Sequence, residues 1–178
     1  MTGKTIFKKA KNIKLIAMDI DGVLTAGEIL ILDSGEEVKL WNVKDRMGFY
    51  LVKRSGSGIK LAWITGRGSK QVEKCAKSVG IDFLYQNCNI KMEAISKIMK
   101  KTGLKLSEIA FIGDDLVDYH VLSNAGLSVC PKDAPKEIKD AVDYVSPLNG
   151  GKGVLRELAD MILKSQGFWK RATKDFLS

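Results

Sequence analysis

The sequence predicts an α/β domain built as a doubly wound parallel sheet, with one inserted β-hairpin and no room for a cap domain. Three observations predict it. Short, continuously apolar runs recur along the chain, the pattern of strands buried on both faces. Stretches with apolar residues three or four apart lie between those runs, so strand and helix alternate and right-handed crossovers follow. Acidic or hydroxyl residues close the main runs, at the edge where an open α/β sheet collects its functional groups.

In chain order, residues 13–18 (IKLIAM) form a first strand ending at Asp19. Residues 28–32 and 37–41 are short apolar runs separated by Asp33-Ser34-Gly35-Glu36, a turn signal, and predict a hairpin. A helix over 45–53 leads to a second strand, 59–64 (IKLAWI), ending at Thr65. A helix over 69–79, a short strand over 82–85 and a helix over 91–101 follow, with Gly80 and Gly103 placed as C-terminal caps. In the last of these, Met92, Ile95, Ile98 and Met99 share one face, read as core packing. The strand 109–112 (IAFI) ends at Gly113-Asp114, and a helix over 115–124 with Gly126 as its cap precedes a strand over 127–129. After Gly150-Gly151-Lys152-Gly153 comes a final helix, 154–164. Residues 1–12 read as a basic arm, 13–166 as the domain and 167–178 as a tail; the order of arm and tail is left open.

Composition narrows the function. With 178 residues, 45% hydrophobic and 28% charged, and only 3 prolines, the chain suits one domain with its own core. The 29 basic residues exceed the 21 acidic ones, giving +8, yet Lys4, Lys8, Lys9, Lys11 and Lys14 crowd the start and the rest dot polar helix faces. Without a zinc-finger, RNP or KH signature these read as solubilising lysines, and no nucleic-acid partner is expected. No apolar run approaches the ~20 residues of a membrane span, and no membrane association or secretory signal is expected. Cys75, Cys88 and Cys130 are odd in number and widely spaced, which argues against disulfides or a zinc ribbon and for a reducing cytoplasm.

The strand ends carry the chemistry. Asp19 and Asp21 follow the first strand, Thr65 the second, and Asp114, Asp115 and Asp118 the fourth, with Lys91 opening the helix between. So many carboxylates at one edge repel unless a hard cation neutralises them, and oxygen-only ligands favour Mg2+. A hydroxyl and an ammonium suit phosphate oxygens. Together these groups suggest phosphoryl transfer with aspartate as covalent nucleophile.

Their order is specific. Asp19-Ile20-Asp21-Gly22-Val23-Leu24-Thr25, then Ile64-Thr65-Gly66-Arg67, then Lys91, then Gly113-Asp114-Asp115-Leu116-Val117-Asp118 resembles the haloacid-dehalogenase superfamily of phosphatases, with a Rossmann-like fold. The resemblance implies that Asp19 attacks phosphorus and that Asp21 serves as acid and then base, while Thr65 and Lys91 bind phosphoryl oxygens. It implies Mg2+ held by Asp19, the backbone carbonyl of Asp21 and Asp114, with Asp115 and Asp118 orienting waters or neighbouring ligands. Asp118 also reads as an ordinary helix-surface acid.

Asp21 and Thr65 lie 44 positions apart and Thr65 and Lys91 26, filled by the expected elements without a cap. The hairpin with GEEVKLWNVKD and Gly150-Gly151-Lys152-Gly153-Val154-Leu155-Arg156-Glu157 resemble the 3-deoxy-D-manno-octulosonate 8-phosphate (KDO 8-phosphate) phosphatases, over about 13–166. That resemblance implies a cytoplasmic homotetramer whose interlocked hairpins and tails enclose the site, and a sugar-acid phosphate substrate of lipopolysaccharide synthesis. It implies substrate contacts at Asn42, Val43, Lys44, Asp45 and Arg67, besides Asp21 and Lys91; Arg46, beside them in this chain, is read with Arg67 as attracting the substrate carboxylate. Three positions depart from the family: Arg46 where glycine is usual, Cys75 where arginine is, and His120 where proline is common. Phosphatases of nine-carbon sugar acids, and catalytically silent relatives that only oligomerise, are the alternatives. A response-regulator receiver is disfavoured, because there the acidic pair comes early and the phosphorylated aspartate late.

Overall fold

The computed structural model describes residues 3–177. Six parallel strands form the sheet: β1 (Leu15–Met18), β4 (Lys60–Ile64), β5 (Phe83–Tyr85), β6 (Ile109–Ile112), β7 (Leu127–Cys130) and β8 (Tyr144–Val145), in the order β5-β4-β1-β6-β7-β8. β1 lies between β4 and β6, with Met18 level with Trp63 and Ile112. All four of its side chains are buried, and alternate ones enter opposite cores. Ile16, Met18, Leu61, Trp63, Ala110 and Ile112 face one layer; Leu15, Ala17, Ala62, Ile64, Ile109 and Phe111 face the other. Two apolar faces per strand are what a doubly wound sheet demands.

The first layer is closed by α2 (Val43–Arg54), α3 (Lys70–Val79) and α7 (Val154–Ser165), the second by α4 (Lys91–Thr102), α5 (Tyr119–Leu122) and α6 (Lys136–Ala141). Gly80 and Gly103 cap α3 and α4 in the left-handed conformation, and Ser69 Oγ accepts from Val72 N at 3.1 Å to start α3. The expected methionine face packs as core, with Ile95 and Ile98 fully buried and Met92 and Met99 against them.

Residues 3–10 are helical as α1 (Gly3–Ala10); Ile6 and Ala10 are buried, and Gln166 donates to the carbonyls of Ala10 and Ile13 at 3.0 and 2.7 Å. The C-terminal segment contains α8 (Trp169–Thr173), with Ala172 in the core.

Three expectations need correction. The helix over 115–124 is a 3-10 turn, Leu116–Asp118, followed by the four-residue α5. Asp118 causes the tightening, because its Oδ2 turns back to accept from Asp114 N at 2.9 Å. Gly126 caps no helix; it lies flush against Ser107, where a Cβ would sit 2.1 Å from that carbonyl oxygen. The hairpin is shorter than its apolar runs, pairing only β2 (Leu30–Ile31) with β3 (Glu37–Val38). Its return limb is fixed beyond β3, where Trp41 stacks on Trp63 at 5.3 Å with the rings 8° apart.

Candidate active site

β1, β4 and β6 end together, and their ends bring Asp19, Thr65 and Asp114 to one edge. Asp19 N donates to Ile112 O at 3.0 Å, which ties the first acidic segment to β6. Lys91, the first residue of α4, enters from beneath with 2% exposure and places its Nζ 2.5 Å from both Asp19 Oδ2 and Asp118 Oδ1. Asp118 is fully buried, so it is no surface acid: one oxygen serves Lys91 and the other the Asp114 backbone. Thr65 is buried, with its Oγ1 accepting from Arg67 N at 3.1 Å.

One ammonium faces three carboxylates. Asp19, Asp114 and Asp118 each present an oxygen, all within 4.8 Å of one another. Burial raises Asp19 to about 6 and Asp118 adds to that, against the pull of Lys91. Burial, then Asp118 and Asp19, push Asp114 up to about 8. Burial draws Lys91 down, but Asp118 and Asp19 outweigh it and hold the ammonium above its usual value. Asp114 Oδ1 and Asp21 Oδ2 are buried without a hydrogen-bond partner among the described residues. A surplus of buried anionic oxygens, two of them orphaned, fits a hard divalent cation.

Two glycines make the edge possible. Gly22 has φ +84°, and a Cβ there would lie 2.0 Å from Asp114 Oδ2. Gly150, the first of the glycine-rich turn, seats against Gly22, where a Cβ would meet its carbonyl oxygen at 2.0 Å. A cavity of about 260 Å³ opens here, lined by Gly22, Gly27, Asp114, Asp115, Asp133 and Pro135. A larger one, about 760 Å³, sits at the opposite edge among Lys11, Lys14, Lys60 and Lys105 and touches none of the cluster.

The expected residues do not all converge. Asp115 is exposed and stands outside the three-carboxylate group; its Oδ1 accepts from Leu116 N at 2.7 Å and caps the 3-10 turn. Asn42 caps α2 by accepting from Lys44 N, and donates to Gly151 O at 2.7 Å. Val43 and Lys44 are exposed beside it. Arg67 is half exposed and pairs with Glu37 of β3, which raises its pKa further.

Asp45 and Arg46, expected at the substrate, make hydrogen bonds within the chain. Arg46 reaches α3, where its guanidinium meets Ser78 Oγ at 3.4 Å. Asp45 is 3% exposed, and its Oδ1 accepts from Arg156 N at 3.0 Å. Gly153 begins α7 without a side-chain cap, so Asp45 supplies from α2 the acceptor that position lacks. Burial raises Asp45 to about 6 although the amides of Arg156, Leu155 and Gly153 oppose it, and its Oδ2 has no partner among the described residues. The folded protein therefore binds this proton more tightly than the unfolded chain. The resulting stability is complete below pH 4 and is lost as pH rises through about 6, by at most about 3 kcal/mol. In urea titrations across that window, Asp45→Asn is expected to fall less steeply than wild type; equal slopes would contradict this.

Sequence reasoning missed Lys39. This residue follows β3, its side chain is 6% exposed, and its ammonium pairs with Asp21 Oδ1. Flanked by Val38 and Leu40 in a short hairpin limb, it carries no local sign of burial. His120 is exposed next to the Tyr119 ring, as a surface role implies.

Comparison with known proteins agrees with this fold. Residues 86–158 match the haloacid dehalogenase-like hydrolase family. The 3-deoxy-D-manno-octulosonate 8-phosphate phosphatase KdsC of Escherichia coli is 40% identical over 162 residues, 91% of this chain and 85% of that protein. The crystal structure of the Moraxella catarrhalis enzyme of that name, in complex with magnesium ion, phosphate ion and KDO, superposes with a TM-score of 0.94 at 38% identity, over 98% of this chain and 99% of that one. The cobalt-bound Haemophilus influenzae phosphatase superposes at 0.84 with 36% identity, over 89% and 92%. The chain belongs to the 3-deoxy-D-manno-octulosonate 8-phosphate phosphatase family of haloacid dehalogenase-like hydrolases.

Proposed function

We propose that this chain is a Mg2+-dependent phosphatase that hydrolyses KDO 8-phosphate to KDO and inorganic phosphate, a step of lipopolysaccharide synthesis. The observation that carries the chemistry is Lys91 held between Asp19 and Asp118 at the edge where Asp114 is left with an orphaned oxygen. The substrate rests on the family, whose members are named for KDO 8-phosphate.

Asp19 is the nucleophile: its carboxylate oxygen bonds to phosphorus as the phosphorus–alkoxide bond breaks. Asp21 gives its proton to the departing oxygen, then takes one from the water that cleaves the acyl phosphate and frees Asp19. Lys91 and the Thr65 hydroxyl bind phosphoryl oxygens, and Lys91 keeps Asp19 ionised. Asp19, Asp114 and the backbone carbonyl of Asp21 would hold Mg2+, which would supply positive charge to the phosphoryl group. Asp118 orients Lys91 and the Asp114 backbone. Asn42, Val43, Lys44 and Arg67 are the sugar-facing group, with Arg67, paired with Glu37 in the free protein, as the cation for the substrate carboxylate.

We infer a homotetramer as well. The hairpin exposes Ile29, Leu30, Ile31 and Leu32, and Leu40 beyond it is 76% exposed, an apolar surface that a neighbouring subunit would cover. Light scattering is expected to give four chains, and Ile31→Glu to give smaller species; an active wild-type monomer would contradict this. The three thiols are free, which supports a reducing cytoplasm.

The test of function is phosphate release from KDO 8-phosphate, nine-carbon sugar-acid phosphates and hexose phosphates, with Mg2+ and with EDTA. KDO 8-phosphate is expected to give the highest kcat/KM and EDTA to abolish turnover. A higher kcat/KM for a nine-carbon substrate would reassign the sugar, and EDTA-resistant turnover would overturn the metal assignment.

A further inference from the structure

The phosphatase reading leaves one buried charged group without a task. Lys39 brings an ammonium to Asp21 Oδ1 with its side chain 6% exposed. Burying an ammonium is costly, and an ion pair serving only to anchor a hairpin gains nothing from being hidden. The partner is informative: Asp21 stands two residues beyond Asp19, on the turn where Val23 N and Leu24 N donate to Ile20 O. With Oδ1 occupied by Lys39, Oδ2 is left as the carboxylate's free oxygen, buried and unpartnered among the described residues.

The limb that carries Lys39 makes contacts on both sides. Glu36 accepts from Gln71 at 2.9 Å and Glu37 pairs with Arg67, both beyond the end of β4. On the other side Trp41 stacks on Trp63, and Asn42 donates to Gly151 O. A lysine side chain is ordinarily a flexible tether; here it stands within a seven-residue stretch, 36–42, whose two ends both contact the rest of the chain.

We propose that Lys39 is the positioning residue of the proton-transferring carboxylate. Resting on the assignment of Asp21 as acid and base, Lys39 locks the rotamer of that side chain so that Oδ2 alone faces the leaving oxygen. The hairpin is thus part of the catalytic apparatus of its own chain as well as a surface for neighbours.

The consequence is specific to leaving groups that need a proton. The test is kcat/KM at saturating Mg2+ for p-nitrophenyl, phenyl and p-methoxyphenyl phosphate, in order of increasing leaving-group basicity, in wild type, Lys39→Met and Lys39→Arg. This ratio reports steps up to alcohol release and excludes hydrolysis of the intermediate. Lys39→Met is expected to lower phenyl and p-methoxyphenyl phosphate at least about tenfold and p-nitrophenyl phosphate no more than about threefold, a fraction of the ~100-fold or more that general acid catalysis supplies. Lys39→Arg, which restores a cation, recovers most of the loss. Lys39→Gln gives the same change of slope should the methionine variant fail to fold. Parallel losses across the series, or none, would overturn the assignment while wild-type activity leaves the phosphatase reading intact. Absence of Mg2+-dependent turnover by wild type on all three would overturn that reading, and this inference with it.

Discussion

Asp19→Asn is expected to abolish phosphate release, by at least about 10³-fold in kcat, without loss of fold. The amide cannot act as a carboxylate nucleophile, so the loss belongs to kcat whatever the substrate concentration. Stability moves the other way. In the metal-free protein Asp19 is one of three clustered carboxylates and is raised to about 6 by burial, so at pH 7.5 its ionised form is strained. The neutral amide keeps the shape, offers its one oxygen to Lys91 or to Ile20 N, and leaves Lys91 paired with Asp118. The EDTA-treated variant is therefore expected to melt at or above the wild-type temperature. Magnesium should raise its melting point less than it raises that of wild type, since the proposed site loses one carboxylate. A variant that retains a tenth of wild-type turnover would refute the nucleophile. One that melts well below wild type would show that inactivity came from unfolding.

Lys91→Met carries the largest expected cost in stability. Removing one member of a buried ion network strands its partners. Asp19 and Asp118 would face each other with no cation, and Asp118 is completely buried. Such losses run to about 3–5 kcal/mol, which a urea midpoint in EDTA resolves. Burial and charge, rather than the number of ion pairs, set the size of the effect. Lys136 and Asp140 form a pair on the outer face of α6 with side chains 83% and 63% accessible, and Lys136→Met is expected to leave the midpoint unchanged. The double variant Lys91→Met/Asp118→Asn should regain part of the loss, because the amide no longer needs a counter-charge. Activity should not return, since no ammonium remains at the phosphoryl oxygens. If Lys91→Met is as stable as wild type, the network is not what holds these carboxylates together.

The strand ends were legible because the physics of a parallel sheet is local to them. An apolar run buried on both faces must stop where a polar residue appears, and Asp19, Thr65 and Asp114 mark those stops in β1, β4 and β6. Lys91 was legible as the first residue of an amphipathic helix. Direction was not legible. Asp45 sits in a polar loop-to-helix sequence, and only the approach of α7 turns it inward to cap a helix 111 positions away. Arg46 sits next to it, yet the turn of α2 sends it to Ser78. Asp118 looked like a helical surface acid because a 3-10 turn cannot be told from the first turn of a helix by periodicity. Lys39 was invisible for the same kind of reason, as a lysine's burial is decided by what folds over it. β8 has two residues, too few to show a pattern, while the lysines of α1 hid the Ile6 and Ala10 stripe.

The proposed chemistry turns on a covalent phosphoryl group at residue 19. Acid quenching during steady-state turnover, followed by borohydride reduction and peptide mass mapping, reads it out directly, because an acyl phosphate is reduced to the alcohol. Conversion of Asp19 to homoserine, dependent on both substrate and Mg2+ and absent in Asp19→Asn, is the predicted result. Full turnover with no modification at residue 19, or with modification at another aspartate, would contradict it.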